Sequence, residues 1–420
     1  MLHFLPGPPF AVGACVLRRS VFLSAIGTRL LPRPDRIDNG TPAANRCAGA
    51  WQAGVAMEGG PVGLIVVGLG GVGSSLVSGL LAARAHLVHP FGSLAEAGGA
   101  GRPSGSSLAA WRDKAPLAQL GDLVLGAFEI HEDDAYRATL RAGLVGRSLV
   151  DELRPELRQL RAMLGGRQAP TRRELADMLA EDLRGFLAHH HCSRGVVVCT
   201  IPGLRTPPAR LGFTAAEVWK ALDDGADWVT PGVVYAAAAA QAGCAFVAAG
   251  RDAALCAPAI PALFAEKGLP IAGAGLLGPD AVLRELVAQV LAQEGMQLAG
   301  AVSLSTRVEL RDAPRWGGPD HTSEMGLGSA WAGGAFELSL ALRGQVALYL
   351  AARALDAALL VELAARAGRA GAQQWMDALF TIPLGAAAPH EAAARSIAER
   401  RAHLEAELSA LAEAARRRAA

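Results

Sequence analysis

The sequence has few lysines, few aromatic residues and almost no net charge. Lysine occurs only at Lys114, Lys220 and Lys267 among 420 residues, aromatic residues make up 5%, and the formal net charge is +1. A nucleic-acid-binding surface or a membrane-binding stripe requires a local excess of positive charge. The composition therefore predicts neither a nucleic acid nor a membrane as a partner.

Cysteine is also sparse and irregularly spaced. None of the six cysteines forms a C-x-x-C pair, the pattern typical of zinc or redox chemistry. Several lie in apolar runs, so we expect reduced, buried thiols in a cytoplasmic protein. The run HHHC at 189–192 offers metal ligands, but consecutive residues point in different directions on a helix. A solvated helix end is the favoured interpretation, and no metal site is predicted.

Residues 1–56 lack the features of a folded segment. They are rich in Pro, Arg and Gly, have no sustained periodicity and contain no acidic residue before Asp35. We interpret them as a disordered extension or as the product of an upstream start, with Met57 as the true first residue; a transit peptide is the alternative.

Strand-like and helix-like patterns alternate from residue 62 onward. Short apolar runs predict strands at 62–67, 122–128, 196–200 and 245–249. Periodic apolar positions predict helices at 74–85, 133–142, 149–164, 173–190, 215–223, 233–242, 259–267, 336–366 and 390–418. This alternation predicts an α/β fold with a Rossmann-type, doubly wound parallel sheet.

A glycine-rich turn follows the first predicted strand. Gly68, Gly70 and Gly73 form a G-x-G-x-x-G pattern between that strand and a predicted helix. The first glycine permits a tight turn, the second lets the backbone approach a pyrophosphate, and the third lets helix and strand pack closely. The alternative is a simple tight turn. The predicted dinucleotide-binding residues are Gly68, Leu69, Gly70, Gly71, Val72, Gly73 and Ser74.

One element of a dinucleotide site is missing from its usual place in the sequence. An acidic residue roughly 20 positions beyond the glycines normally binds the ribose hydroxyls. Here the first acidic residue after the turn is Glu96. We therefore expect ribose recognition to come from another part of the chain.

Short segments of the chain resemble, in order, those of the myo-inositol-1-phosphate synthase (inositol-3-phosphate synthase) family. The turn GLGGVGSS is similar to the family's GxGGNNGST, one residue shorter and without the asparagines. FGSL at 91–94 resembles the family's Y-F-G-S-L, and 122–131 resembles its D-I-V-F-G-G-W-D-I-S. Further similar segments lie at 196–200, 246–258, 321–324, 356–363 and 381–384.

The resemblance implies a domain organisation and a cofactor. It implies an NAD-binding Rossmann domain at 57–254 and an inserted α+β domain for catalysis and oligomerisation at 255–335. Helices at 336–420 would then return to the Rossmann domain. It also implies a homotetramer or homodimer, and NAD held further by Glu129 (at the family's aspartate position), Thr200 and Gly250.

The family reaction converts glucose 6-phosphate to inositol phosphate, which serves inositol and phospholipid biosynthesis. NAD oxidises a ring carbon, an enolate closes the ring in an aldol step, and the hydride returns. This chemistry needs cations near the phosphate and the developing oxyanion, and the family supplies lysines. In this sequence the corresponding positions are Leu277, Val282, Arg315 and Thr381.

Three residues are candidates to replace the family lysines. Arg315 would bind a phosphate, and His321, beside Glu324, would act as acid or base near neutral pH. For His321 and Glu324 the alternative is a surface loop without catalytic duty, and for Arg315 it is an ordinary exposed basic strand. Two further functions stay open: a catalytically silent NAD-binding protein with a scaffold or sensing role, and an oxidoreductase acting on another sugar phosphate or polyol.

Overall fold

The structure is a computed structural model that describes residues 60–96, 110–206, 213–307, 320–329, 335–385 and 395–419. Only the backbone is described for 297–307, 320–329, 335–343 and 419. The predicted N-terminal extension at 1–56 and the candidate Arg315 lie outside the described residues.

In the described part of the chain, seven parallel strands form the main sheet. They are β1 (Val62–Val67), β2 (Leu123–Glu129), β3 (Met163–Leu164), β4 (Arg194–Cys199), β5 (Ala245–Ala248), β6 (Pro270–Gly273) and β10 (Gly371–Ala372).

Their order across the sheet is β10-β6-β5-β4-β1-β2-β3. The chain builds outward from β1 to β3, then returns and builds in the other direction from β4. The change of direction lies between β1 and β4, where doubly wound sheets open a crevice at the carboxyl ends of their strands. The predicted α/β fold with a parallel sheet is confirmed, and β1 has the predicted bounds.

Helices cover both faces of this sheet, which is why all six residues of β1 are buried. The helices packed on one face include α1, α3, α11 and α12, and those on the other include α6 to α9. In chain order the helices are α1 (Gly71–Arg84), α2 (Trp111–Lys114), α3 (Ala135–Ala142), α4 (Arg147–Glu152), α5 (Arg154–Gln159), α6 (Arg172–His189), α7 (Ala215–Asp224), α8 (Pro231–Gln241), α9 (Ala259–Glu266), α10 (Pro279–Gln293), α11 (Val346–Arg366) and α12 (Ile397–Ala419).

A second, antiparallel sheet follows α10. It consists of β7 (Gln297–Arg307), β8 (Asp320–Ser329) and β9 (Ala335–Gly344), in that order. Both sheets extend past the expected domain bounds. Strand β6 extends the main sheet to residue 273, past the expected end of the first domain at 254, and β9 extends the second sheet to residue 344, past the expected end of the inserted domain at 335.

Two helix predictions were wrong in part. Residues 335–344 form β9, not the start of a helix, because Phe336, Leu338, Leu340 and Leu342 alternate with other residues at the period of a strand. The helix predicted at 149–164 is broken into α4 and α5, and its last two residues form β3. Pro155 lies at the start of α5, where it cannot donate the hydrogen bond that would continue α4.

No helix among the described residues is both long enough and apolar enough to span a membrane. The apolar stretch that begins at Gly232 forms the buried helix α8 and then β5. The four described cysteines are free thiols, of which Cys199 and Cys244 are buried and Cys192 and Cys256 are half-buried.

Candidate functional site

The glycine turn connects β1 to α1 at the crevice end of the sheet. Gly68 has a φ of +88°, a conformation that glycine adopts without strain, and its N–H donates to the carbonyl oxygen of Phe128 at 2.9 Å. A Cβ on Gly73 would overlap the carbonyl oxygen of Gly68. Both glycines are therefore required by the close packing of the turn itself.

Gly70 has a different role because nothing in the chain crowds it. A Cβ built on Gly70 would meet no atom within 4 Å, and Gly70 caps α1 without a side-chain hydrogen bond. The first backbone hydrogen bond of α1 runs from Ser74 N–H to the oxygen of Gly70, at 2.9 Å. The amides of Gly71, Val72 and Gly73 precede that bond, and such helix N-termini bind phosphates. A backbone that a pyrophosphate can approach fits a dinucleotide at this turn.

Glu129, the last residue of β2, closes the turn from the neighbouring strand. Its carboxylate accepts hydrogen bonds from the backbone N–H of Leu69 at 2.7 Å and of Ile130 at 2.9 Å. The end of the strand next to β1 is where dinucleotide-binding folds carry the acid that binds the ribose. Glu129 thus lies beside the turn, although the sequence has no acid at the usual distance of roughly 20 residues after the glycines.

Thr200 and Gly250 lie on the opposite side of the crevice, just after β4 and β5. The hydroxyl of Thr200 lies 3.0 Å from the carbonyl oxygen of Val67 and 2.9 Å from that of Gly68. Gly250 donates its N–H to Cys199 at 2.8 Å, and a Cβ there would overlap the carbonyl of Ile201. These contacts fix the backbone around the turn; a direct contact of either residue with the cofactor stays a prediction.

Two of the predicted cofactor residues have no free side chain to offer. Leu69 is buried, and the hydroxyl of buried Ser74 donates to the carbonyl oxygen of Gly70 at 2.6 Å. Any contact they make with a dinucleotide would come from the backbone.

A cavity of about 390 Å³ lies beside the turn, large enough for part of a dinucleotide. Its walls are mostly apolar, and its polar groups come from Glu129, Arg167, Arg172 and Tyr235. Arg167 pairs with Asp182 at 2.8 Å, and burial raises the pKa of the Tyr235 hydroxyl. The cavity therefore combines an apolar wall for a base with hydrogen-bonding groups for a sugar.

Three of the four residues at the family's lysine positions, Leu277, Val282 and Thr381, lie beyond the carboxyl end of β6. Leu277 donates its N–H to the oxygen of Leu379 at 2.8 Å, and Leu277 and Val282 line one small pocket. Thr381 donates its N–H to Gly275 at 2.7 Å. The segments around 277 and 381 are thus neighbours.

Asp356 was not singled out from the sequence, yet it anchors the FGSL segment. Its carboxylate is fully buried and accepts hydrogen bonds from the Ser93 hydroxyl at 2.5 Å and from the N–H groups of Leu94 at 2.9 Å and Ala95 at 3.0 Å. Arg353 pairs with it at 2.9 Å. Burial raises the pKa of Asp356, against the effect of these donors. The one available signal was an acid flanked by apolar residues in the middle of a helix.

The other predicted site residues are placed only by their backbone. In β8, His321 pairs with Thr306 of β7, and Glu324 pairs with Ser303. The described residues contain no group of three side chains suited to hold a metal ion. Within the 189–192 run, the His190 ring packs against Phe186, with 4.6 Å between centroids.

Comparisons with known proteins agree with this geometry. An NAD-binding family model described as Myo-inositol-1-phosphate synthase matches residues 62–406. Inositol-3-phosphate synthase 1 of Bacteroides thetaiotaomicron is 27% identical over 246 residues, covering 54% of this chain. The match spans 57% of the length of that curated relative.

Solved structures share the fold. Inositol-3-phosphate synthase from Caenorhabditis elegans superposes with a TM-score of 0.72 at 17% identity, covering 84% of this chain and 86% of that one. A myo-inositol-1-phosphate synthase-related protein from Thermotoga maritima has a TM-score of 0.60 at 16% identity, covering 83% and 98%.

Proposed function

This chain belongs to the myo-inositol-1-phosphate synthase family with NAD as its cofactor, and from that premise we propose that it isomerises a sugar phosphate to an inositol phosphate. The substrate that we propose is glucose 6-phosphate. NAD held at the glycine turn would supply reversible hydride transfer, so that no net oxidation occurs.

The observation that carries this proposal is the pairing of the glycine turn with Glu129. Gly70 leaves the N-terminus of α1 open to a pyrophosphate, and the Glu129 carboxylate stands beside it for the ribose hydroxyls. Thr200 and Gly250 keep the turn in place from β4 and β5. In this proposal the chain's own residues bind and orient the dinucleotide at the switch point of the sheet.

For the chemical steps we assign three residues as candidates. Arg315 would bind the substrate phosphate, and His321 with Glu324 would move protons to and from the substrate oxygens. These assignments rest on the sequence, because Arg315 and the side chains of β8 lie outside the described residues.

A second candidate function is an NAD-binding protein without catalysis. It is favoured by Leu277 and Val282, which are apolar where the family carries lysines and which pack in a pocket. An apolar side chain cannot neutralise a phosphate or an enolate oxygen. A chain that keeps the cofactor site but lacks these cations would act as a scaffold or sensor.

One experiment separates the candidates. The full chain is purified, released nucleotide is identified after denaturation, and the protein is incubated with glucose 6-phosphate while inositol phosphate and NADH are measured. Inositol phosphate formed without NADH supports the proposal, and a Gly70→Ala variant should lose that product.

The other outcomes each point elsewhere. Bound NAD without any product supports the silent candidate, while accumulation of NADH with a sugar phosphate or polyol supports net oxidation. A chain that binds no dinucleotide contradicts all of these functions. Assembly as a homotetramer or homodimer in the cytoplasm belongs to the same proposal, and sedimentation analysis of the purified chain tests its oligomeric part.

A further inference from the structure

Two arginine side chains converge on the pocket that contains Leu277 and Val282. Arg353 comes from α11 and Arg401 from α12, and both line the pocket together with Tyr349. The pocket lies beyond the carboxyl end of β6, on the same edge of the sheet as the glycine turn.

The charge of Arg353 is balanced within the chain. Its guanidinium donates to the buried carboxylate of Asp356 at 2.9 Å and lies 4.9 Å from the ring centroid of Tyr349. Asp356 is in turn fixed by the Ser93 hydroxyl and by backbone N–H groups. Arg353 is therefore held rigidly in the wall of the pocket.

Arg401 is half-buried, and no acid in the described part of the chain serves as its own counterion. The acids that act on it electrostatically are Glu285 and Glu405, and both are engaged elsewhere: Glu285 with Arg400 at 2.6 Å and Glu405 with Lys114 at 2.6 Å. Among the described residues Arg401 forms no ion pair. Burial lowers the pKa of Arg401, and the positive charge of Arg353 lowers it further.

Asp356 balances the charge of Arg353, whereas Arg401 adds a positive charge to the same pocket that no acid among the described residues pairs, and an anion bound there would balance it. Guanidinium groups bind phosphate oxygens bidentately, and apolar walls such as Leu277 and Val282 strengthen that attraction by excluding water.

We propose that Arg353 and Arg401 form the binding site for the phosphate group of a phosphorylated small molecule. The assignment rests on the proposed function and deepens it, since the sugar phosphate would supply that group. It assigns the phosphate to arginines of α11 and α12, in place of Arg315 and of the family's lysines. The enclosed space is about 10 Å³, so the phosphate binds at the mouth of the pocket, on the side of the more exposed Arg401.

The test measures inorganic phosphate binding to the full chain saturated with NAD, so that phosphate cannot occupy the glycine turn. Calorimetry and thermal unfolding are followed at constant ionic strength, with acetate in place of phosphate as the control anion. We expect a saturable rise in Tm with phosphate and none of similar size with acetate. Arg401→Gln should weaken phosphate binding about ten- to a hundred-fold.

Matched variants separate a binding role from a structural one. Arg416→Gln removes an exposed arginine from the same helix and should leave phosphate binding unchanged. Without phosphate, Arg401→Gln should unfold at the same temperature as the wild type or higher, because an unpaired charge has been removed. Arg401→Lys keeps the charge but loses the bidentate geometry, so its affinity should lie between those of the wild type and Arg401→Gln.

The outcomes do not depend on turnover. Phosphate binding without inositol phosphate formation would keep this site and reject the synthase function. Formation of inositol phosphate, with equal phosphate affinity in the wild type and Arg401→Gln, would keep the synthase function and reject this site. No saturable phosphate effect on the wild type, or an equal effect of acetate, would overturn the proposal even if the variants failed to fold.

Discussion

The carboxylate of Glu129 accepts a hydrogen bond of 2.7 Å from the backbone N–H of Leu69, although the residues are 60 positions apart in the sequence. The contact exists because β2 pairs in parallel with β1, which brings the end of β2 beside the glycine turn. The long separation arises because the segment between α1 and β2 includes the FGSL element and α2, instead of a short connection.

Replacing Glu129 with Gln should weaken NAD binding. The variant replaces the charged carboxylate that would accept hydrogen bonds from the ribose hydroxyls with a neutral amide. Hydrogen bonds to charged groups contribute about 1.5–3 kcal/mol. We therefore expect the Kd for NAD, measured by calorimetry, to rise about ten- to a hundred-fold. The discrimination against NADP should fall in the same variant, because the carboxylate repels a 2′-phosphate.

Glu132→Gln is the matched control, since Glu132 is an exposed acid just beyond β2. Its NAD affinity should equal that of the wild type. If Glu129→Gln binds NAD as tightly as the control does, then Glu129 serves only to fix the turn.

Most of the main sheet could be predicted from the sequence because each strand is a short apolar run between turn residues. The run 62–67 is buried on both faces and is bounded by the glycine turn, so pattern and structure coincide there. The helix prediction for the segment 336–344 was wrong for a physical reason. The segment is as apolar as the helix that follows it, and only its period of two separates it from that helix.

The residues of the site also differ in whether the sequence alone predicts them. The glycine turn is local, so its spacing alone predicts where a pyrophosphate would bind. Glu129 came from family resemblance, since a distance of 60 residues carries no local signal. The contact of Asp356 with Ser93 and the approach of Arg401 to Arg353 depend on how α11 and α12 pack on the sheet edge. Such long-range contacts have no periodic pattern in a single sequence.

Two glycines of the turn should respond differently to the same substitution. Gly70→Ala adds a Cβ that meets nothing in the chain, so its stability should change by no more than about 1 kcal/mol. The same Cβ would obstruct a pyrophosphate, so NAD affinity should fall at least about tenfold. Gly73→Ala should instead destabilise the fold by about 1–3 kcal/mol, because its Cβ overlaps the Gly68 carbonyl.

Gly79→Ala provides the control on the same helix. Gly79 is exposed and uncrowded, so alanine there should stabilise α1 by about 0.5–1 kcal/mol. Denaturant unfolding and NAD calorimetry on all three variants check these expectations. A Gly70→Ala protein with wild-type NAD affinity would mean that the pyrophosphate does not approach this backbone.

The buried thiols should resist alkylation in the native protein. Burial raises the pKa of Cys199 and of Cys244 to about 12 each. At pH 8 only about one thiol in ten thousand would then be the reactive thiolate. Among the four described cysteines, half-buried Cys192 should be labelled first, and its labelling should become faster as the pH rises from 7 to 9.

Peptide mass spectrometry after brief treatment with iodoacetamide gives the site-by-site result. Cys199 and Cys244 should become labelled only after the chain is denatured. Rapid native labelling of Cys199 would show that the β4 end of the crevice opens to solvent.

The Asp356 carboxylate should be the costliest single polar group to replace at this edge of the sheet. All four of its partners are donors, so the amide NH₂ of an Asp356→Asn variant would face at least one donor in place of an acceptor. Arg353 would also lose its counterion. Breaking a buried pair in this way costs about 3–5 kcal/mol.

Denaturant unfolding of Asp356→Asn should therefore show a large fall in the free energy of unfolding. The control Glu413→Gln breaks the exposed pair with Arg417 on α12 and should cost no more than about 0.5 kcal/mol. Arg353 lines the pocket, so the Kd of the Asp356→Asn variant for phosphate, measured after refolding at low temperature, should also differ from that of the wild type. A loss of stability as small as that of the control would mean that Arg353 and the FGSL segment find other partners. Asp356 would then not be the anchor of the pocket lined by Arg353 and Arg401.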